Sequence, residues 1–223
     1  MQIKDIALDF LGHSGFLIKC KDGKVIAIDP YNISDNIGKA DIILITHSHY
    51  DHCSIKDIEK LSKDGTKIVV TADSQSKINK LKNIEIQIIE SGDELEFNNI
   101  KIEAIPAYNL DKTFHPKREG WVGYLIKLEE VIIYHAGDSD KIPEMRNLTG
   151  YGKRGNKFVC LLPVSGKYVM DSEAAAEIAS LLSPDLAIPM HYGAGVAGDI
   201  EDAKSFVSSC KKFGIKAEIL GKI

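Results

Sequence analysis

The sequence predicts an α/β fold built from two β-sheets flanked by helices, and three observations carry that expectation. Strand-like and helix-like segments are interspersed in both halves of the chain, which suits two sheets with outer helices better than one doubly wound parallel sheet. Two continuous apolar runs, Asp41 to Ile45 and Phe158 to Pro163, read as strands buried on both faces. A chain of 223 residues, 44% hydrophobic and 27% charged, can bury a sizeable core by itself, so one domain over residues 1–223 is expected.

The N-terminal third reads as an antiparallel meander: Ile3 to Phe10, Phe16 to Cys20, then Val25 to Asp29 after the turn Lys21-Asp22-Gly23-Lys24. Beyond the buried strand at Asp41 to Ile45, Ser54 to Ser62 has helical periodicity, with Ile55, Ile58 and Leu61 on one stripe and Ser54 as cap. Lys67 to Val70, Ser74 to Leu81 and Ile84 to Ile89 follow as strand, helix and strand. Glu94 to Phe97 and Ile100 to Ile105 predict a hairpin through Asn98-Asn99. The polar segment Ala107 to Gly120, which contains Pro116, is a loop, and loops of this length in compact domains are commonly functional. Trp121 to Leu128 and Val131 to Tyr134 form a second hairpin. Asp171 to Leu182 is a helix capped by Asp171 or Ser172, with Ala175, Ile178, Ala179 and Leu182 inward. Leu186 to Pro189 is a short strand, Ile200 to Phe213 an amphipathic helix, and Ala217 to Leu220 a closing strand.

Composition narrows the function. The formal net charge of -4 gives no basic footprint for nucleic acid, which is therefore disfavoured as a partner. No apolar run approaches the ~18 to 20 residues that cross a bilayer. Lys4, Asp5 and Asp9 interrupt the N-terminus, where an export signal needs an apolar stretch. The four cysteines, Cys20, Cys53, Cys160 and Cys210, lack CxxC spacing and read as reduced thiols. A cytoplasmic location follows as the expectation.

The chemistry concentrates at the end of the first buried strand, in His47-Ser48-His49-Tyr50-Asp51-His52. His47 and His49 are two apart, so in an extended loop their imidazoles can converge on one ion, while Asp51 and His52 project elsewhere and can hold a second. Imidazole with carboxylate suits zinc and neighbouring divalent metals, and affinity order alone does not choose among them. The plainer alternative is a polar loop before a helix, with Asp51 as a cap. Three histidines and an aspartate so close together, in a chain with seven histidines, favour the metal.

HxHxDH after an apolar strand resembles the signature of the metallo-β-lactamase superfamily. Tyr134-His135-Ala136-Gly137-Asp138 is similar to that family's strand-end Gly-Asp element, and Ile188-Pro189-Met190-His191-Tyr192-Gly193 to its final ligand motif. The resemblance implies a four-layer αββα sandwich of two mixed sheets. It also implies a metal set of His47, His49, Asp51, His52, Asp138 and His191, with Asp138 bridging two ions and Asp51 orienting the nucleophile. Zinc is the expected metal, as one or two ions, with manganese, nickel or iron as alternatives. Leu11 to Phe16, Ile28-Asp29-Pro30 and Pro163 to Gly166 through Met170-Asp171 resemble the small stand-alone hydrolases akin to the ascorbate-phosphate lactonase group.

The sequence departs from the family at one ligand. Relatives carry a metal-binding histidine shortly after a strand-end Pro-Ala, whereas Pro106-Ala107 is followed here by Tyr108-Asn109-Leu110. A neutral amide oxygen binds zinc more weakly than imidazole. His115, in the next loop, is the candidate replacement and third catalytic residue beside Asp51 and Asp138; an exposed loop histidine is the competing reading.

The implied activity is hydrolysis of an ester, lactone or phosphoester bond by a metal-activated hydroxide. Lys112, Lys117 and Arg118 in the loop hint at a small anionic substrate, although each alone reads as a solvated charge. His13 reads either as a substrate or supporting residue or as a turn histidine satisfied by backbone. His135 falls on the strand face opposite Asp138 and stays outside the ligand set. A nuclease or phosphodiesterase and a non-catalytic metal-binding sensor are the alternatives, and neither oligomeric state nor substrate is readable.

Overall fold

The computed structural model describes residues 1–153 and 155–223. Its contacts group the chain into two compact units, Met1–Glu90 with Leu220–Ile223, and Ser91–Ile219. Each unit holds one mixed sheet and its helices, so the α/β class with two mixed sheets is the observed one.

The first unit carries a seven-stranded sheet in the order β1 (Gln2–Ile3), β2 (Ile6–Gly12), β3 (Gly15–Lys19), β4 (Val25–Ile28), β5 (Ile42–Leu44), β6 (Thr66–Val70), β7 (Ile84–Ile88). The strands from β1 to β4 pair antiparallel, as the meander predicts, and those from β4 to β7 pair parallel. Parallel neighbours need crossovers, supplied between β5 and β6 by α1 (Ile55–Leu61) and between β6 and β7 by α2 (Ala72–Ile78). One core gathers Leu17, Ala27, Ile43 and Val70 from the strands with Ile58 and Leu61 of α1 and Ile78 of α2.

The expectations differ from this unit in two places. Ile3 to Phe10 is not one strand, because Ile3 pairs with Ile6 and Lys4 takes φ +53°, making a tight hairpin. The second helix begins two residues earlier than Ser74 and ends at Ile78, with Thr71 as its N-cap. Ser54 does cap α1 by position, but its hydroxyl donates to Asp57 rather than accepting a backbone N–H.

The second unit carries a six-stranded sheet in the order β13 (Leu186–Met190), β12 (Lys157–Pro163), β11 (Val131–His135), β10 (Val122–Lys127), β9 (Ile100–Pro106), β8 (Glu94–Phe97). The expected hairpins β8–β9 and β10–β11 are both present, and β11, β12 and β13 run parallel. Asn98 takes φ +58° in the first hairpin turn, a conformation asparagine tolerates well. Helix α3 (Ser172–Leu182) is capped by Asp171, whose carboxylate accepts the Ala174 N–H at 2.8 Å. It packs against α4 (Ile200–Lys212), which buries Ala203, Phe206 and Cys210 at helical spacing. The predicted closing strand at Ala217 to Leu220 is absent: only Ala217 bridges to Ala187, so that segment makes too few ladder bonds to count as a strand.

Strand direction decides where chemistry can gather. In the first sheet β2, β4 and β5 run the same way, so the segments leaving them, His13, Asp29 and Thr46 onward, emerge at one edge. In the second sheet β9, β11, β12 and β13 share a direction, which brings the loop after Pro106, Asp138, Ser165 and His191 to one edge. Carboxyl ends of strands in open α/β sheets are where ligands bind.

Candidate metal centre

Asp29, fully buried at the end of β4, organises the first unit's cluster. Its Oδ1 accepts the Thr46 backbone N–H at 2.8 Å, and its Oδ2 accepts the Thr46 hydroxyl at 2.6 Å and His52 Nδ1–H at 2.7 Å. Since the Thr46 hydroxyl donates to Asp29, its oxygen accepts from His47 Nδ1–H at 2.9 Å. One carboxylate thereby sets the tautomer of two histidines, leaving Nε2 of His47 and of His52 as electron-pair donors. These rings lie 4.1 Å apart, centroid to centroid.

His47 Nε2 lies 3.1 Å from His49 Nδ1, and the His49 carbonyl accepts the N–H groups of His52 and Cys53 at 3.1 and 2.7 Å, turning the chain into α1. Asp51 Oδ2 lies 3.7 Å from His52 Nε2 and accepts from His13 Nε2 at 2.9 Å. Nitrogens of His13 and His52 and an oxygen of Asp51 all lie within 4.8 Å of one another. His47, Asp51 and His52 are buried and His49 is half-buried, so four ligand-type side chains from six consecutive residues are drawn together and largely shielded.

The second unit's cluster forms around Asp138. Gly137, at φ +60°, turns the chain after β11, and its N–H donates to His135 Nδ1 at 3.2 Å. His135 thus supports the Gly-Asp turn from within the core. Asp138 Oδ2 lies 3.1 Å from His191 Nε2 and 3.2 Å from His115 Nε2. His115 is 3% exposed, which removes the reading of a solvated loop histidine. Its Nδ1–H donates to the Tyr168 carbonyl at 3.0 Å, so its Nε2 is an acceptor facing a carboxylate oxygen. Two acceptors in that position call for a cation or a proton with them. That donor chemistry, and the oriented imidazoles around Asp29, fit a divalent ion.

Asn109 braces its own loop through its amide nitrogen and its backbone N–H, while its Oδ1 stays buried without a hydrogen-bond partner among the described residues. Its Nδ2 donates to the carbonyls of Tyr168 at 2.6 Å and Phe114 at 2.9 Å, and its backbone N–H to the His115 carbonyl at 2.8 Å. It closes the loop that carries His115. His191 is held through Nδ1 by Ser165 Oγ at 2.8 Å. His13, Asp29, His115 and His191 all adopt positive φ, at +54°, +41°, +54° and +62°. Such backbone is uncommon outside glycine, though asparagine, aspartate and histidine tolerate it better than other side chains, and functional sites are one place where it gathers.

The loop cations are matched locally. Lys112 pairs with Asp140, Lys117 with Glu144 at 2.8 Å, and Arg118, 83% exposed at its side chain, lies 3.6 Å from Glu119. Tyr108 donates its hydroxyl to Glu144 at 2.8 Å. Cys53, buried beside His52, is a core thiol whose pKa burial pushes up to about 11. Sequence reasoning missed Asp29 and Thr46 as site residues; the signal available was Asp29 ending a strand beside Pro30, with no spacing to link it to His52.

A family model for the beta-lactamase superfamily domain matches residues 7–191. A metal-dependent hydrolase of Pyrococcus furiosus is 32% identical over 220 residues, covering 93% of this chain and 94% of the relative. Another from Thermoplasma acidophilum is 30% identical over 227 residues and covers 97% of each. A crystal structure described as a metal-dependent hydrolase from Parabacteroides distasonis has a TM-score of 0.82 at 31% identity, covering 96% of this chain and 92% of that one. Agreement of this extent, spanning every strand end that carries a candidate ligand, means that the chain belongs to the metallo-β-lactamase superfamily and is one of its metal-dependent hydrolases.

Proposed function

We propose that the chain cleaves an ester, lactone or phosphoester bond of a small anionic molecule with one or two divalent ions, zinc in the first place. His47, His49, Asp51, His52, Asp138 and His191 would hold the metal, and His115 would replace the histidine missing at Asn109. The observation that carries this reading is the Asp29 relay, which orients the coordinating nitrogens of His47 and His52 before any ligand arrives. A divalent ion supplies Lewis acidity, ionising water near neutral pH and drawing charge from substrate oxygens.

The side chains divide the remaining work. Asp51 orients the attacking water through its carboxylate. Asp138, buried between two imidazoles, contributes negative charge that balances the cation. Burial of His47, His52, His115 and His191 keeps bulk water from the ligating nitrogens and strengthens their electrostatics. Lys167 precedes Tyr168, whose carbonyl holds His115, and its ammonium lies 4.9 Å over the Tyr168 ring. Neutralising Lys112, Lys117 and Arg118 together should lower kcat/KM for anionic substrates more than for neutral analogues, and equal losses would refute the anionic preference. The four free cysteines support a reducing compartment, the cytoplasm. Among the described residues no helix is long and apolar enough to cross a membrane.

The test is a hydrolysis panel of phosphomonoesters, phosphodiesters and lactones, run on protein purified without chelator and assayed for metal. Chelator-sensitive turnover of one class is expected. Full metal occupancy with no turnover across the panel would favour a metal-binding sensor, and cleavage confined to polynucleotides would favour a nuclease.

A further inference from the structure

We propose that His13 is a positioning residue for Asp51: its Nε2–H grips one carboxylate oxygen and so fixes the plane in which the other oxygen meets the reacting water. The inference rests on the hydrolase reading above. Its starting point is a contact across 38 residues of sequence, His13 Nε2 to Asp51 Oδ2 at 2.9 Å, between side chains that are 0% and 7% exposed.

The turn that presents His13 is built against its own convenience. Gly12 pairs with Gly15, so His13 and Ser14 form the tip of a two-residue turn, and His13 sits there at φ +54°. Glycine or asparagine would take that conformation with less strain. The ring itself is packed edge-on against His52, at 5.4 Å and 64°, and against Tyr31, at 5.9 Å and 65°. The end of β2 is further braced by the chain's last residues: Ile223 N–H donates to the Phe10 carbonyl at 3.1 Å, and Lys222 Nζ to the Asn32 carbonyl at 2.7 Å. A strained, rigidly seated histidine whose ring nitrogen meets the carboxylate of the HxHxDH segment is a means of holding that carboxylate still.

Two substitutions separate the role from simple packing. His13→Asn tolerates the left-handed backbone but is too short to reach Asp51, while His13→Gln restores a donor of similar reach. With metal content unchanged, His13→Asn should lower kcat by about 10- to 100-fold with little change in KM, and His13→Gln should recover much of the loss. Long-range 1H–15N spectra of the metal-free protein should place the His13 proton on Nε2 and show its resonance shift in Asp51→Asn. An unchanged kcat in His13→Asn, loss of a metal equivalent in that variant, or equal losses of kcat and Tm in both variants would overturn the proposal. A wild-type protein with neither metal nor turnover would instead refute the hydrolase reading. The spectra would still decide the pair then, since a His13 ring indifferent to Asp51→Asn overturns it and a coupled ring supports it.

Discussion

Asp29 carries no ligand atom in the proposed set, yet it orients two of the proposed ligands, His47 through Thr46 and His52 directly. Replacing it with asparagine keeps the size and the tolerance of its φ of +41° but turns one acceptor oxygen into a donor. Either the Thr46 hydroxyl or His52 Nδ1–H then loses its acceptor, and the tautomer of His47 or His52 is released. Asp29→Asn should therefore weaken metal binding by about 10- to 100-fold, read by competition with a chromogenic chelator, while Tm changes far less than for a core truncation. His115→Gln should lower bound metal in the same assay, and unchanged stoichiometry would return His115 to a structural role. The motif residues were legible because they are adjacent in sequence or end an apolar strand. Asp29, Thr46 and the His13–Asp51 contact were not, because their partners lie 17 to 38 residues away and meet only through sheet topology.

Strand ends are where the elements meet the chemistry, and Gly123 shows how tightly they are built. A Cβ there would lie 2.4 Å from the His135 carbonyl oxygen and 2.8 Å from the Ala136 carbonyl carbon, both backbone atoms of the strand end leading to Asp138. Gly123→Ala should cost about 1–3 kcal/mol or more in denaturant unfolding, because backbone cannot step aside as a flexible side chain can. Periodicity found the helices and the hairpins. It failed at Lys4-Asp5, whose charged pair hides a turn inside an otherwise strand-like run, and at Ala217 to Leu220, where one bridge stands in place of a strand. Both failures concern pairing, which depends on partners that local pattern does not specify.

For the whole molecule, charge and burial predict a stability plateau with two edges. Burial raises Asp185 and Asp41, but hydrogen bonds and charge from Lys157 and the Phe158 N–H, and from Lys63 and the Val25 N–H, outweigh it and hold both below the ordinary carboxylate value. Their stabilisation is present above the unfolded value, about 3.9, and is lost as pH falls through their folded values. Burial pushes Cys20 up to about 11 and Cys210 up to about 12. The unfolded thiols ionise first, so stability declines as pH rises from about 8.5 through that range. Thermal melts across pH should show a plateau from about 5 to 8 with both flanks falling, and a continued rise in Tm at alkaline pH would contradict the buried thiols. The class of the fold was legible because the continuous apolar runs and interspersed helices are global features.

The most direct test of the central claim is the metal content of the wild type, His47→Ala and Asp138→Asn, each purified without chelator and measured by elemental analysis. The account predicts one or two equivalents of divalent metal in the wild type and a loss in both variants. Retention of full metal in either variant, or a wild type that hydrolyses substrate unchanged after exhaustive chelation, would contradict it.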